Sequence, residues 1–256
     1  MSFKKKYNII PRYLTSHTKR RSGLAITPEV KFIVAHDTGN SGSTAAANVA
    51  HYENTNNDIY ASAHIFVDDK EIIECIPALT SNRPEKAWHV RYNVTADNDM
   101  YGYEANDTAV GIEYCHGPNI NADEAYKRYV WITAYTCFKF TLDPKSSIVG
   151  HFLLDPERRT DPVSGLRASG RTYEQFLQDV LVEYNNCSQV TYPLKLIKIQ
   201  NSSKVYALGK DNKKHWIFNE TSFNIGRVMG LWGDFSSIEV IGNDTYPEGH
   251  TLVFIK

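Results

Sequence analysis

Several common signatures are missing from this sequence of 256 residues. It has no apolar run of about 18 residues, which argues against a membrane-spanning helix. It has no CxxC pair, which argues against a zinc ribbon, and no HExxH motif, which is typical of one large class of zinc peptidases. Its 28 Lys+Arg and 29 Asp+Glu nearly cancel, so no excess of positive charge points to a nucleic-acid partner.

The N-terminal segment is basic but lacks the continuous apolar stretch of a secretion signal. We therefore expect a protein made without its own signal, which something else must deliver if its substrate lies outside the cell. Only four cysteines are present, and three of them, Cys75, Cys115 and Cys137, lie in apolar runs. These three are interpreted as small buried hydrophobic residues rather than as functional thiols.

What is present predicts an α/β region over residues 1–187. Apolar strand-like runs at 30–36, 61–67, 71–76, 109–115 and 147–150 alternate with helical patterns. Helix starts are predicted after Ser43 or Thr44, at Asn121 and at Thr172, since each offers a side-chain oxygen that can cap a helix. Such alternation indicates a central mixed β-sheet flanked by helices.

Residues 188–256 have a different pattern. The segment 185–189 is predicted to be a linker, and short strand-like runs separated by turn formers follow it. No helical periodicity is evident, so we predict a small all-β module of SH3-like size. Its aromatic residues are expected to fill a small core in preference to stacking on sugars. They are Tyr206, Trp216, Phe218, Trp232 and Phe235.

Two of the nine histidines end predicted strands. His36 and His151 stand where an α/β sheet presents its ligands, and Asp161 follows His151 on a loop rich in proline and arginine. Two histidines and one carboxylate are a standard ligand set for catalytic zinc. Taken singly, a strand-end histidine is also compatible with a surface position, and Asp-Pro with a simple turn.

Glu113 lies within the run AVGIEYC. There Val110, Ile112 and Tyr114 share one face of the strand, and Glu113 shares the other with small residues. A carboxylate in the middle of a strand is costly to bury unless it is paired. It is therefore interpreted either as half of an ion pair or as a general base beside a metal site.

The ordered motifs IVAHDTG, ASAHIFVDD, AWH, VGIEYC and GHFLLDPERRTDP resemble those of zinc N-acetylmuramoyl-L-alanine amidases of the amidase-2 family. The resemblance covers about residues 25–185. It implies Zn²⁺ held by His36, His151 and Asp161, with Glu113 as the main base. It places Arg159 where relatives often have lysine, a position suited to stabilising an oxyanion.

The same resemblance implies that His89 contacts the substrate, and Trp88 and His64 are further candidates for substrate contacts. Because His64 lies inside a predicted strand, it is interpreted either as a satisfied buried histidine or as a residue that lines the site. Some relatives carry a tyrosine just before the histidine of the second motif, whereas this sequence has Ala63, so a tyrosine-assisted variant is not expected. Thr38 is equally well explained as a residue of the pocket rim and as a turn former.

The C-terminal part resembles, more weakly, the cell-wall-binding modules of endolysins from phages of Gram-positive bacteria. Together the two resemblances imply a phage or prophage endolysin that waits in the host cytoplasm and then hydrolyses peptidoglycan. Its expected partners are peptidoglycan and a cell-wall polymer, with no nucleic acid and no membrane insertion. A non-catalytic peptidoglycan-recognition protein is the alternative, although such proteins lose a zinc ligand that this sequence keeps.

Overall fold

The computed structural model describes residues 2–189, 194–209 and 211–254. These residues form two compact units, and the chain divides between Gln189 and Val190. The larger unit begins at Phe3 and ends at Gln189. Within the described residues, no helix is long and apolar enough to cross a lipid bilayer.

A six-stranded mixed sheet lies at the centre of the larger unit. Its strand order is β2-β5-β4-β6-β3-β7, where β4 and β5 are antiparallel and the other neighbours are parallel. The two-residue strand β1 pairs instead with β8. The bounds are β1 (Ser2–Phe3), β2 (Ile9–Pro11), β3 (Phe32–Asp37), β4 (Ile65–Val67), β5 (Ile72–Glu74), β6 (Ala109–Tyr114), β7 (Ile148–Gly150) and β8 (Ser188–Gln189).

Seven helices accompany these strands in the described part of the larger unit. The bounds are α1 (Ala45–Asn54), α2 (Ala96–Tyr101), α3 (Ala105–Thr108), α4 (Ala122–Lys139), α5 (His151–Leu154), α6 (Val163–Ala168) and α7 (Tyr173–Cys187). The mixed α/β fold predicted from the sequence is thus confirmed for this unit.

The longest helices begin where capping residues were predicted. The side chains of Thr44, Asn121 and Thr172 each accept a hydrogen bond from the backbone N–H three residues later. Each cap satisfies a donor that the first turn of a helix cannot pair internally, which is worth about 1 kcal/mol.

The core of the larger unit lies between the sheet and the pair α4 and α7. All six residues of β3 are buried, and the rings of Tyr114, Tyr129 and Phe176 stack in succession, with centroids 5.0 and 4.6 Å apart. Cys75, Cys115 and Cys137 are free and buried, as predicted. This well-packed support keeps the ends of β3, β6 and β7 in place at one edge of the sheet.

The smaller unit has a four-stranded sheet with the order β11-β10-β9-β12. Neighbours β9, β10 and β11 are antiparallel, whereas β12 is parallel to β9. The bounds are β9 (Lys195–Ile199), β10 (Val205–Leu208), β11 (Lys214–Trp216), β12 (Glu239–Ile241), the helix α8 (Glu220–Val228) and a 3₁₀ turn (Phe235–Ser237).

The prediction of an all-β module was wrong, because α8 packs against Trp232. Asn219 caps this helix by accepting a hydrogen bond from Ser222 N–H, and Phe223 and Gly226 are buried on one face. Serine, threonine, asparagine and glycine weaken the intrinsic helix propensity of the segment, so its sequence lacks a clear helical signal. The helix and the parallel β12 do not support the predicted SH3-like barrel.

The predicted linker at 185–189 is also corrected. Helix α7 continues through Cys187, and Ser188–Gln189 form β8. The last strand-like run of the sequence covers residues 251–256. In the structure, Leu252 of this run makes a single bridge with Ile217, and residues 255 and 256 lie outside the described residues.

Candidate metal and catalytic site

Neighbouring strands bring the two predicted histidine ligands together. His36 lies near the end of β3, and His151 is the first residue of α5, directly after β7. Ala35 pairs with Gly150 in the parallel ladder, so the residue that follows each of them emerges at the same edge of the sheet. Asp161 reaches them from the loop between α5 and α6.

The three side chains converge on one point. Asp161 Oδ2 lies 2.9 Å from His36 Nδ1 and 3.1 Å from His151 Nδ1. One ligand atom from each residue lies within 4.8 Å of the others, and the two histidines are only 2 % exposed. Three atoms with lone pairs at such distances repel one another unless a proton or a cation lies between them.

The protonation of the cluster suits a metal ion. Burial lowers the pKa of His36, which favours the neutral imidazole that binds metals. Burial opposes ionisation of Asp161, but the hydrogen bonds of His151 and His36 outweigh it and hold the pKa of this carboxyl below its usual range. Neutral nitrogens beside an ionised carboxylate are a donor set that fits Zn²⁺.

Glu113 lies beside His36 on the adjacent strand. The two residues are partners in the register of β3 and β6, and both line one cavity of about 340 Å³. Glu113 Oε2 is inaccessible to solvent and has no hydrogen-bond partner among the described residues. Burial, followed by the charges of Asp161 and Asp37, raises the pKa of Glu113, whereas Arg159 lowers it. The raised pKa makes this carboxyl a better proton acceptor than a glutamate in water.

His89 supports His36 from behind. Its Nδ1 lies 3.1 Å from His36 Nε2, and the backbone N–H groups of His89 and Val90 donate to Asn106 Oδ1. A proton shared at His36 Nε2 leaves Nδ1 of that ring free to bind a metal. The ring of His89 also lines the cavity, so this residue both contacts His36 and borders the space where a substrate would bind.

Gly111 makes the close approach of His89 possible. A Cβ atom at Gly111 would lie 2.9 Å from His89 Cγ and 3.0 Å from His89 Nδ1, closer than ordinary packing allows. The small residue noted in the sequence opposite the apolar face of β6 therefore provides the space for an imidazole ring.

His64 does not line the cavity, in contrast to the predicted substrate contact. The side chain is fully buried, its Nδ1 accepts a hydrogen bond from Gly111 N–H, and its Nε2 donates to the carbonyl oxygen of Glu85. Burial lowers the pKa of His64 to about 4, so the ring is neutral. Both ring nitrogens form hydrogen bonds with backbone groups, so we assign His64 a structural role.

Arg159 and Trp88 lie at the rim. Both line the cavity that holds the ligand cluster, as does Thr38, and both also line a second cavity of about 720 Å³. Arg159 is exposed, whereas Trp88 is partly buried and its backbone N–H donates to Ser62 Oγ. The cation and the indole thus border a cleft that continues away from the ligand cluster.

Three tyrosines in this region were missed by the sequence interpretation. Tyr60 and Tyr92 flank Trp88, each with its ring centroid 6.0 Å from the indole, and both are about half exposed or more. Tyr52 of α1 lines the ligand cavity although no tyrosine precedes His64. Tyr60 and Tyr92 are isolated aromatic residues in loops and gave no sequence signal, because only the fold places them beside Trp88. Tyr52 lies in a helix, and only the fold places it at the ligand cavity.

Asp37, the last residue of β3, is hydrogen-bonded to the segment that follows Asp161. Its carboxylate accepts hydrogen bonds from Ser164 Oγ at 2.6 Å and from Gly165 N–H at 2.7 Å, at the start of α6. Burial opposes its ionisation, but His116 and these donors outweigh it and lower the pKa of Asp37. His36 and Asp37 therefore use opposite faces of β3, one for the ligand cluster and the other for the segment that follows Asp161.

Comparison with known proteins finds relatives among N-acetylmuramoyl-L-alanine amidases. The chain is 32% identical over 150 residues to the N-acetylmuramoyl-L-alanine amidase BlyA of Bacillus subtilis, which covers 55% of this chain and 38% of BlyA. It is 30% identical over 127 residues to the amidase XlyA of the same species, covering 49% of this chain and 37% of XlyA. The matches thus span less than two-fifths of the length of either relative.

Solved structures show the same fold. The Staphylococcus aureus hydrolase AmiA aligns with a TM-score of 0.56 and 22% identity, covering 71% of this chain and 85% of that one. The catalytic domain of XlyA aligns with a TM-score of 0.53 and 24% identity, covering 68% and 99% respectively. The family model described as N-acetylmuramoyl-L-alanine amidase, Amidase_2, matches residues 27–164, which include all three residues of the ligand cluster and Glu113. The chain belongs to this amidase family.

Proposed function

We propose that this protein hydrolyses the amide bond between N-acetylmuramic acid and L-alanine in bacterial peptidoglycan. One observation carries the proposal: the His36–His151–Asp161 cluster and the Glu113 carboxylate line the same cavity within the region that matches the family. The names of the relatives BlyA and XlyA support the same reaction.

His36, His151 and Asp161 are the residues that would hold Zn²⁺. Zinc bound there would polarise the scissile carbonyl group and lower the pKa of a water molecule toward about 7. Asp161 supplies a negative charge to this site, and His89 keeps His36 in the orientation that directs Nδ1 toward the other ligands.

Glu113 moves the proton in the proposed mechanism. Its buried carboxylate accepts the proton of the attacking water and then donates it to the nitrogen of the departing L-alanine. The raised pKa of Glu113 favours uptake of a proton from the water, and the proton that the carboxyl then carries is available to the departing nitrogen. The guanidinium of Arg159 stabilises the negative charge that develops on the carbonyl oxygen.

Trp88 positions the glycopeptide, together with the neighbouring Tyr60 and Tyr92. Their rings border the cavity of about 720 Å³ that extends from the reaction site, which offers space for a sugar or a stem peptide. His89 lines both this cavity and the cavity that holds the ligand cluster.

Glu113→Gln tests the proposal because it removes the base and leaves the ligands unchanged. We expect bound zinc to stay at the wild-type level and the rate of hydrolysis to fall on the order of 10²–10⁴-fold. Mass spectrometry of digested peptidoglycan identifies the bond that is cut, since an amidase creates new L-alanine amino termini and free muramoyl carboxylates. Near-wild-type turnover of the variant would contradict the role of Glu113.

The wild-type digest also separates the alternatives. New termini elsewhere in the stem peptide would indicate a peptidase, and no new termini would indicate a recognition protein that binds without cutting. Either result would overturn the proposed reaction.

We further propose that the protein acts as an endolysin, which lyses the wall of a Gram-positive host after release from the cytoplasm. Residues 188–256 would anchor it to a wall polymer. The sequence motifs and the wall-degrading relatives support this role. Sedimentation of the full chain, inactivated by Glu113→Gln, with purified Gram-positive walls tests the anchor, and an absence of co-sedimentation would leave the unit with a structural role only.

A further inference from the structure

The smaller unit has an aromatic groove that extends from the core residue Phe223 to rings at the surface. We define the groove by Trp216, Phe218, Phe223 and Phe235, which line a cavity of about 400 Å³. Phe218 and Phe235 are 50 % and 56 % exposed, whereas Trp232 of the core is fully buried. The predicted role of the aromatic residues as core filling therefore holds for Trp232 and Tyr206 but not for the rings of this groove.

The groove rings form two adjoining faces. Trp216 and Phe218 contact edge to face, with centroids 5.5 Å apart, and Phe235 stacks on the buried Phe223 at 4.1 Å. A unit of this size has little apolar surface to spare, so two large rings left half exposed are not explained by its own stability. Exposed aromatic surface at the edge of a cavity is typical of a binding site.

Polar groups of both signs surround the rings. The ammonium group of Lys204 lies 4.5 Å from the centroid of Trp216, and Glu220 and Asn219 line the same cavity. Because a cation and a carboxylate border the same cavity, neither an anionic nor a cationic ligand is favoured by charge. The lining suits an uncharged ligand with flat apolar faces and a polar perimeter.

We propose that this groove binds the uncharged N-acetylhexosamine units of the peptidoglycan glycan strand. The C–H face of a pyranose ring covers an aromatic ring, and its hydroxyl and acetamido groups reach the polar residues at the rim. The proposal rests on the proposed function, since the glycan is the polymer that carries the scissile amide. Hydrolysis of that amide cuts no glycosidic bond but leaves a carboxylate on each muramic acid, so the N-acetylglucosamine units, which stay uncharged, would hold the enzyme on the wall throughout digestion.

Conservative variants of the groove test the proposal in the full-length Glu113→Gln protein. Phe218→Leu and Phe235→Leu keep apolar volume but remove the flat ring, and we expect each to weaken binding to Bacillus subtilis walls about 10-fold. Met229→Leu and Val240→Ala are the controls, since both residues are more than half exposed in the same unit but do not line the groove. These controls should bind like the parent protein.

Two further measurements identify the ligand. Walls stripped of their secondary polymers with hydrofluoric acid should still bind, and chitotetraose, a soluble chain of N-acetylglucosamine, should compete. Loss of binding on stripped walls, no competition, or full binding by both leucine variants would overturn the proposal, and a dimer that dissociates in the leucine variants would assign the groove to self-association. The amide-bond digest of the wild-type protein is independent of these results, so failure of the groove and failure of the proposed reaction are distinguishable.

Discussion

The two units of this protein use their buried polar groups and their aromatic residues in opposite ways. The larger unit buries His36, His151 and Asp161 against one another and keeps most large rings inside, as in the stack of Tyr129 and Phe176. The smaller unit pairs its buried Lys214 with Asp244 and Glu248 and leaves large rings at the surface.

The difference follows from size. A large core can support several buried polar side chains that face one another, because many other contacts hold the surrounding strands in place. A small core has fewer such contacts. Its buried charge is therefore paired, and the proposed binding surface lies outside the core. Reaction chemistry is therefore expected from the larger unit and attachment from the smaller one.

The largest expected effect comes from removing a zinc ligand. Asp161→Ala should reduce bound zinc from about one per chain to near zero and lower hydrolysis by roughly 10³-fold or more, because two histidines alone bind the ion weakly. Atomic emission measures the metal, and wall sedimentation should stay unchanged because the proposed attachment site lies in the other unit.

Asp123→Ala is the matched control. Asp123 is an exposed aspartate of the same unit and pairs with Arg171 at its surface. Bound zinc equal to that of the wild type in Asp161→Ala would remove Asp161 from the site, and loss of zinc in Asp123→Ala would point to general destabilisation.

Two glycines test the division of roles with the same substitution. In Gly111→Ala, the new Cβ displaces the ring of His89, and we expect zinc affinity to fall about 10–100-fold, since His36 loses its supporting partner. In Gly226→Ala, the new Cβ overlaps the ring of Trp232, and we expect the smaller unit to lose about 1–3 kcal/mol of unfolding free energy. Competition with a chelator and calorimetry measure the two effects.

Each glycine variant should leave the other property unchanged. Gly242→Ala serves as a control for both, because the nearest atom to its Cβ would be Gln200 Oε1 at 3.8 Å. A drop in zinc affinity in Gly226→Ala, or normal zinc affinity in Gly111→Ala, would show that the roles are not divided in this way.

The smallest expected effect compares equivalent helix caps. Asn121→Ala in α4 and Asn219→Ala in α8 each remove one capping hydrogen bond and should cost about 1 kcal/mol. In calorimetry, the same loss should lower Tm by about 2–4 °C for a domain of roughly 150–250 residues and about 4–8 °C for one of roughly 60–100 residues. Equal shifts for the two variants would indicate that the units do not unfold separately.

Local signals account for what the sequence predicted correctly. The caps at Thr44, Asn121 and Thr172 depend on a side chain and a backbone group three residues apart. His36 and His151 were recognisable because each follows a short apolar run. Such patterns need no knowledge of distant contacts.

Distant contacts account for what the sequence did not reveal. Helix α8 has weak propensity and depends on Trp232, which covers Gly226. The structural position of His64 depends on the backbone of Gly111, and the cluster of Tyr60, Trp88 and Tyr92 depends on the folding of two loops. His64 and Gly111 are far apart in the chain, whereas Gly226 and Trp232, like Trp88 and Tyr92, are near neighbours that follow no helical or strand period. Periodicity and turn signals therefore carry no information about these contacts.

The pairing of His36 with Glu113 across β3 and β6 has a consequence for assembly of the enzyme. The two residues are far apart in the chain, and only the register of a parallel ladder places a ligand beside the proposed base. A slip of one residue would turn Glu113 to the opposite face of the sheet. During refolding, zinc uptake reports that β3 and β7 have paired, whereas turnover reports correct alignment of β6 as well. The delay between the two signals would measure how long the chain searches for its final strand register.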